Sequence, residues 1–174
     1  MKTVYLIRHS KSDWDSPFVS DHERGLSPRG VKNANALRKF LRTRKIQFDV
    51  SLVSSAFRAQ ETYRIISKIS NLSRNFNSLH ELYDAEPEVY IQNLQKLPDT
   101  MDKVLIIGHN PEMETVIHSL IGLKKEDQTY SIFTKFPTSG LIALNFDTDE
   151  WTKIPETVKG SISLFWFPIK GEKK

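Results

Sequence analysis

Four short apolar runs punctuate the chain, each followed by a polar or amphipathic stretch. The first, Thr3-Val4-Tyr5-Leu6-Ile7, has the unbroken apolar and β-branched character of a strand buried on both faces. Val50-Ser51-Leu52-Val53 predicts a second strand, and Val104-Leu105-Ile106-Ile107 is the clearest buried strand of all. Leu141-Ile142-Ala143-Leu144 forms the last of these runs. Two less apolar segments also read as extended, Asn75 to Leu79 and Ser161 to Phe167.

Helical signals fill the intervals. Ser27-Pro28 places a capping hydroxyl before a proline at the first helical position, and Leu37, Phe40 and Leu41 recur at helical spacing up to about Arg44. Ser54-Ser55 reads as a capping pair for a helix from Phe57 to Ser70, with Ile65, Ile66 and Ile69 on its apolar face. A further helix is expected over Pro87 to Leu97. Asn110-Pro111 repeats the cap-plus-proline start, with Glu112 and Glu114 complementing the positive helix end. This alternation predicts an α/β fold, a three-layer sandwich with a mostly parallel central sheet and helices on both faces.

The 174 residues are the length of one domain, taken as residues 1–174 with a charged tail over 169–174. The net charge of +4 comes from scattered lysines and arginines, which speaks against nucleic acid and fits a mild pull on anionic substrates. The absence of cysteine excludes disulfides, thiolate zinc sites and a cysteine-nucleophile phosphatase. No apolar run is long enough to span a bilayer and the first strand begins at residue 3, so no membrane association is expected and the cytoplasm is the default address.

Mapped onto this outline, the reactive side chains fall at strand ends. Arg8 and His9 close the first strand, Arg58 opens the helix after the second, Glu81 follows the third and His109 the fourth. In a parallel sheet these ends share one rim, where ligands bind. Each residue alone has a plain alternative: Arg58 as a solvated helix residue, Glu81 as a loop acid, His109 as a strand-end cap. Their coincidence at four successive strand ends favours chemistry.

Two arginines can hold phosphoryl oxygens and stabilise developing charge. One neutral histidine can attack phosphorus while the other donates to the same group. A carboxyl group can protonate the leaving atom and then activate water. This set needs no metal and no cofactor.

Leu6-Ile7-Arg8-His9-Ser10 resembles the Arg-His-Gly signature of the histidine phosphatase superfamily, the phosphoglycerate-mutase-like enzymes. Leu26-Ser27-Pro28-Arg29-Gly30, Ser54-Ser55-Ala56-Phe57-Arg58-Ala59-Gln60-Glu61-Thr62 and Gly108-His109-Asn110-Pro111 follow in the family's order. The chain looks most like the small SixA-like phosphohistidine phosphatases, with a minimal core. The resemblance implies a phosphoglycerate-mutase-like fold, His9 as the phosphorylated nucleophile, and Arg8, Arg58 and His109 as the phosphate pocket. It places Glu81 where many members keep their proton donor; Asp13 is the other candidate, and Arg24 could reach the pocket from its loop. Ser10 departs from the usual glycine, which is compatible with activity if the backbone there is not left-handed.

Only 27 residues separate Glu81 from His109, too few for a lid domain beyond one helix. An open pocket suits phosphohistidine on another protein, and imidazole leaves more readily than an alkoxide. The expected activity is therefore hydrolysis of protein phosphohistidine through a phosphohistidine intermediate. The alternatives are a phosphatase of small phosphate esters and a non-catalytic phospholigand-binding module.

Other groups carry less. Asp147-Thr148-Asp149 imitates the nucleophile loop of a magnesium-dependent phosphatase, but only 25 residues follow it, and a polar turn before Trp151 is the expected reading. His22, His80 and His118 lack metal-ligand spacing; His118 is expected to pack or cap on its helix. Phe165-Trp166-Phe167 is expected to end a strand packed on the sheet.

Overall fold

Six strands form one sheet in the order β3-β2-β4-β1-β5-β6 in the computed structural model, which describes residues 1–124, 126 and 135–168. The strands are β1 (Lys2–Arg8), β2 (Phe48–Ser54), β3 (Ser73–Leu79), β4 (Lys103–Gly108), β5 (Leu141–Phe146) and β6 (Ser161–Trp166). β1, β2, β3 and β4 are mutually parallel, whereas β5 runs antiparallel to both β1 and β6. The sheet is thus mostly parallel, as the sequence pattern predicts.

The helices divide between the faces. Val4, Leu6, Leu52, Val104 and Ile106 pack with α3 (Pro87–Gln95) and α4 (Glu112–Ile121) through Tyr90, Leu94, Met113, Val116 and Leu120. Ile7, Val53, Leu105 and Ile107 pack on the opposite face with α1 (Pro28–Thr43) and α2 (Phe57–Ile66) through Leu37, Leu41, Ala59 and Ile66. Alternate residues of β1 and β4 thus feed two cores, which is why these strands read as continuous apolar runs. Among the described residues no helix is long and apolar enough to cross a membrane.

Several boundaries differ from the sequence expectation. α2 ends at Ile66 rather than Ser70, because the Ser67 hydroxyl turns back to the Arg64 carbonyl and the chain reverses through Asn71 at φ 58°. β3 begins two residues early, paired from Ser73 to Phe48 of β2. Its side chains are largely exposed, so apolar patterning could not mark its start. α3 stops at Gln95, and β6 ends at Trp166, whose ring stacks on Phe40 at 5.1 Å between centroids. Asp147–Glu150 forms a turn, with the Glu150 N–H donating to Thr148 Oγ1 at 3.1 Å ahead of the buried Trp151. His118 is buried on α4. The expected tail over 169–174 lies outside the described residues.

Lys2 closes the end of the sheet far from the reactive strand ends. It is wholly buried, donating to the Asp99 and Met101 carbonyls and to Asp102 Oδ1, the last at 2.9 Å.

Candidate active site

Sheet register brings the strand ends into one row. Arg8 pairs with Gly108, Val53 with Ile107, and Ser54 with Leu79. The residues one step beyond that row are His9, His109, Ser55 and His80. The rings of His9 and His109 lie 5.0 Å apart between centroids, both buried.

His9 is presented in one tautomer. Its Nδ1 lies 2.7 Å from the Ser10 carbonyl oxygen, which can only accept, so Nδ1 carries the proton and Nε2 the lone pair. Burial pushes the His9 pKa well below the ordinary imidazole value, the adjacent His109 disfavours a second proton in the pair, and Arg58 and Arg8 add to the depression against the bond to the Ser10 carbonyl. Burial likewise pushes His109 down to about 3, reinforced by Arg58 and Arg8 and opposed by Asp21. A pair held neutral in this way keeps a nucleophile available without a base to deprotonate it.

The loop carrying His9 is braced on three sides. The Ser10 N–H donates to Thr62 Oγ1 at 3.0 Å, and Thr62 donates to the Arg58 carbonyl at 2.7 Å. Ser10 Oγ pairs with Ser139 Oγ at 2.7 Å, while the Ser139 N–H reaches the Arg8 carbonyl at 3.0 Å. Ser10 does not adopt a left-handed backbone, so serine is accommodated where glycine is usual, with its hydroxyl engaged by Ser139. Below it, Gly30 lets α1 pass so close that a Cβ there would stand 2.1 Å from the Lys11 carbonyl oxygen.

Arg8 is anchored through one terminal nitrogen of its guanidinium and Arg58 through both. Arg8 Nη1 donates to the Phe136 carbonyl at 2.7 Å, and Arg58 holds the Asp21 carbonyl at 2.8 Å and its carboxylate at 3.1 Å. The Nε atoms of both arginines and Nδ1 of His109 are buried without a hydrogen-bond partner among the described residues. His109 Nε2 lies 2.7 Å from Ser54 Oγ; when that hydroxyl donates to it, Nδ1 bears the free N–H. Unpaired buried donors are costly unless a ligand meets them. Three such donors, on the strand ends and helix start that flank His9, could meet the oxygens of an anion.

The candidate carboxylates are engaged by partners of their own. Glu81 is exposed, and its Oε1 accepts from Asn93 Nδ2 of α3 at 2.7 Å. Asp13 caps its own turn, accepting from Ser16 Oγ at 2.6 Å; that bond, with those from backbone N–H groups, holds its carboxyl below the usual range. Arg24 is buried, ion-paired to Asp21, bonded to Ser12 Oγ, and stacked 3.5 Å from the Trp14 ring centroid. It braces the loop that carries Asp21.

The Ser54-Ser55 pair does not cap α2 as expected. The N-cap is Ala56, without a side-chain cap bond. Instead Ser54 meets His109, and Ser55 Oγ lies 2.8 Å from His22 Nε2 and 3.0 Å from His80 Nδ1. Asn110 likewise bonds Glu114 and the Phe136 carbonyl, leaving α4 to start at Glu112. Ser54, Thr62, Asp21 and Ser139 are positioning residues that sequence reasoning did not assign; Thr62 and Ser54 lay within a motif, whereas Asp21 and Ser139 carried no signal of spacing.

The sequence profile of the histidine phosphatase superfamily, branch 1, matches residues 4–84, which span Arg8, His9 and Arg58. An uncharacterized protein of Mycobacterium leprae is 34% identical over 143 residues, 80% of this chain and 86% of that relative. The chain belongs to the histidine phosphatase superfamily. The likeness to SixA structures extends that membership over nearly all of the chain. A candidate phosphohistidine phosphatase SixA from Agrobacterium tumefaciens is 27% identical with a TM-score of 0.80, covering 96% of this chain and 98% of that one. A SixA candidate from Nakamurella multipartita superposes at a TM-score of 0.82 and 22% identity, covering 97% of each. The histidine phosphatase fold is therefore present in its SixA-like form, and the protein is a phosphatase by family.

Proposed function

We propose that the chain hydrolyses phosphohistidine in a protein substrate through a covalent phosphohistidine on His9. The observation carrying this reading is the set of three unpartnered buried donors, Arg8 Nε, Arg58 Nε and His109 Nδ1, beside a histidine whose Nε2 is free to attack. In the first step Nε2 forms the N–P bond while the bond to the leaving atom breaks, its electron pair going with that atom. In the second, water forms the P–O bond and the pair returns to Nε2. Arg8, Arg58 and His109 hold the phosphoryl oxygens throughout, where preorganised donors favour the more highly charged transition state. His9, Arg8, Arg58 and His109 all belong to the chain's own side chains, and the mechanism asks for no metal or cofactor.

Glu81 is the carboxylate that the family resemblance marks for the leaving group, but its Oε1 is engaged by Asn93. Protein phosphohistidine suits such an arrangement, since imidazole departs without the strong acid that an alkoxide requires. The same chemistry also accommodates a small phosphate ester, and a pure phospholigand-binding role leaves the Nε2 of His9 without a purpose.

The experiment compares turnover of a phosphohistidine-bearing protein and an aryl phosphate, with His9→Ala as the blank. A preference for the phosphoprotein, lost in the variant, is expected. Faster ester turnover would transfer the enzyme to small substrates, and activity surviving in His9→Ala would overturn the mechanism.

A further inference from the structure

Outside the proposed phosphate site, the titratable side chains nearest the rim form one connected group. His22 comes from the short 3-10 turn Asp21–Glu23, His80 from the turn His80–Leu82, and Ser55 lies between them at the end of β2. Ser54 and Ser55 are consecutive, so neighbouring hydroxyls each hold a histidine: Ser54 holds His109 and Ser55 holds His22. Tyr83 joins the two histidines from the other side. Its ring meets His22 edge-on at 4.8 Å and His109 edge-on at 6.1 Å between centroids. The residue before His22, Asp21, anchors Arg58.

The hydrogen bonds permit a proton to be passed along them. A serine hydroxyl donates once, so it can accept from His22 Nε2–H and donate to His80 Nδ1. His22 Nδ1 then has no partner among the described residues. His80 is exposed and its remaining ring nitrogen can exchange protons with solvent. Meanwhile Glu81 is bonded to Asn93 and Asp13 to its own turn, and the neighbouring Asp21 carboxylate is committed to Arg58, Arg24 and Tyr83, which leaves His22 as a titratable group here with a ring nitrogen unengaged among the described residues.

From this geometry we infer that His22 is the general acid and base of the reaction, with Ser55 and His80 as its positioning residues. The inference rests on the phosphatase reading of the site. As His9 Nε2 bonds to phosphorus, imidazolium His22 gives its Nδ1 proton to the departing nitrogen or oxygen, which leaves with the bonding pair. Neutral His22 then takes a proton from the water whose oxygen forms the new P–O bond, while the P–N bond electrons return to His9. The cycle restores both histidines and releases the dephosphorylated group and phosphate. Imidazole is the side chain suited to both transfers near neutral pH.

The test measures kcat/KM, which reports the first transfer, for aryl phosphates running from an activated nitrophenyl to phenyl, whose phenol has a pKa of about 10. His22→Asn is expected to lose roughly 100-fold on phenyl phosphate and little on the activated ester, steepening the leaving-group dependence. Ser55→Ala should steepen it partly. His22→Gln repeats the test should the first variant fold poorly. Equal losses across the series, or no loss, would overturn the inference, as would steepening by Glu81→Gln with His22→Asn unaffected. His9→Ala separates the underlying reading: if it retains turnover, the phosphohistidine mechanism itself has failed.

Discussion

Thr62 and Ser10 lie 52 positions apart and share a buried hydrogen bond of 3.0 Å, from the Ser10 N–H to Thr62 Oγ1. The same hydroxyl donates to the Arg58 carbonyl at 2.7 Å. One side chain thus ties the backbone beside His9 to the helix carrying Arg58. Thr62→Val keeps the shape and removes both bonds, stranding a buried N–H. A loss of about 1–3 kcal/mol in urea unfolding is expected, together with a fall in kcat. Unchanged stability and unchanged kcat would show that the brace is dispensable.

Arg58 is held in place by Asp21. Asp21 receives Arg58, Arg24 and the Tyr83 hydroxyl. Burial alone would raise its carboxyl pKa, but Arg24 and Arg58 outweigh burial and hold it down. Arg58→Lys gives up the fork that spans Asp21 and the phosphoryl group, and a decrease of roughly 100-fold in kcat is expected. Asp21→Asn should raise KM for aryl phosphate and leave the fold intact, read by steady-state kinetics and circular dichroism.

Acid should slow the enzyme only well below the usual histidine range. The proposed attack requires neutral His9, and burial beside His109, Arg58 and Arg8 depresses its pKa strongly. The acidic limb of the kcat/KM profile is expected to lie well below the ordinary imidazole value. A limb centred near 6.5, the ordinary imidazole value, would mean that the nucleophile is not held in this environment.

The same depression has a stability consequence. His109 is pushed down to about 3 by burial, then by Arg58 and Arg8, so between that value and about 6.5 the unfolded chain binds more protons than the folded one. Stability should therefore decline as pH falls through this window, the contribution being fully present above it. His109→Gln should flatten the decline in urea midpoints measured from pH 7.5 to 4. An identical slope would remove His109 as its source.

Gly30 is a packing requirement. A Cβ there would meet the Lys11 carbonyl oxygen at 2.1 Å, a backbone atom that cannot swing aside. Gly30→Ala is expected to cost about 2–3 kcal/mol, visible as a lower thermal midpoint, and to disturb phosphate binding by shifting the loop after His9. A neutral substitution would mean that α1 can retreat freely.

The sequence by itself determined the apolar strands, the α/β alternation and the positions of Arg8, His9, Arg58 and His109 at strand ends, because buried parallel strands leave continuous apolar runs whose ends can be counted. Near-sequence signals also sufficed for the Ser27 cap, whose hydroxyl accepts from the Gly30 N–H at 3.1 Å. Tertiary structure alone decided the rest. The exposed β3 owes its start to pairing with β2, which no apolar pattern records. Register placed His80, rather than Glu81, in the row with His9, His109 and Ser55, because adjacent residues in that row are chosen by hydrogen bonding between strands. Ser54 and Ser55 left their expected capping role because the nearest polar groups in space are histidines from other segments, and a buried hydroxyl takes whichever partner the packing brings to it.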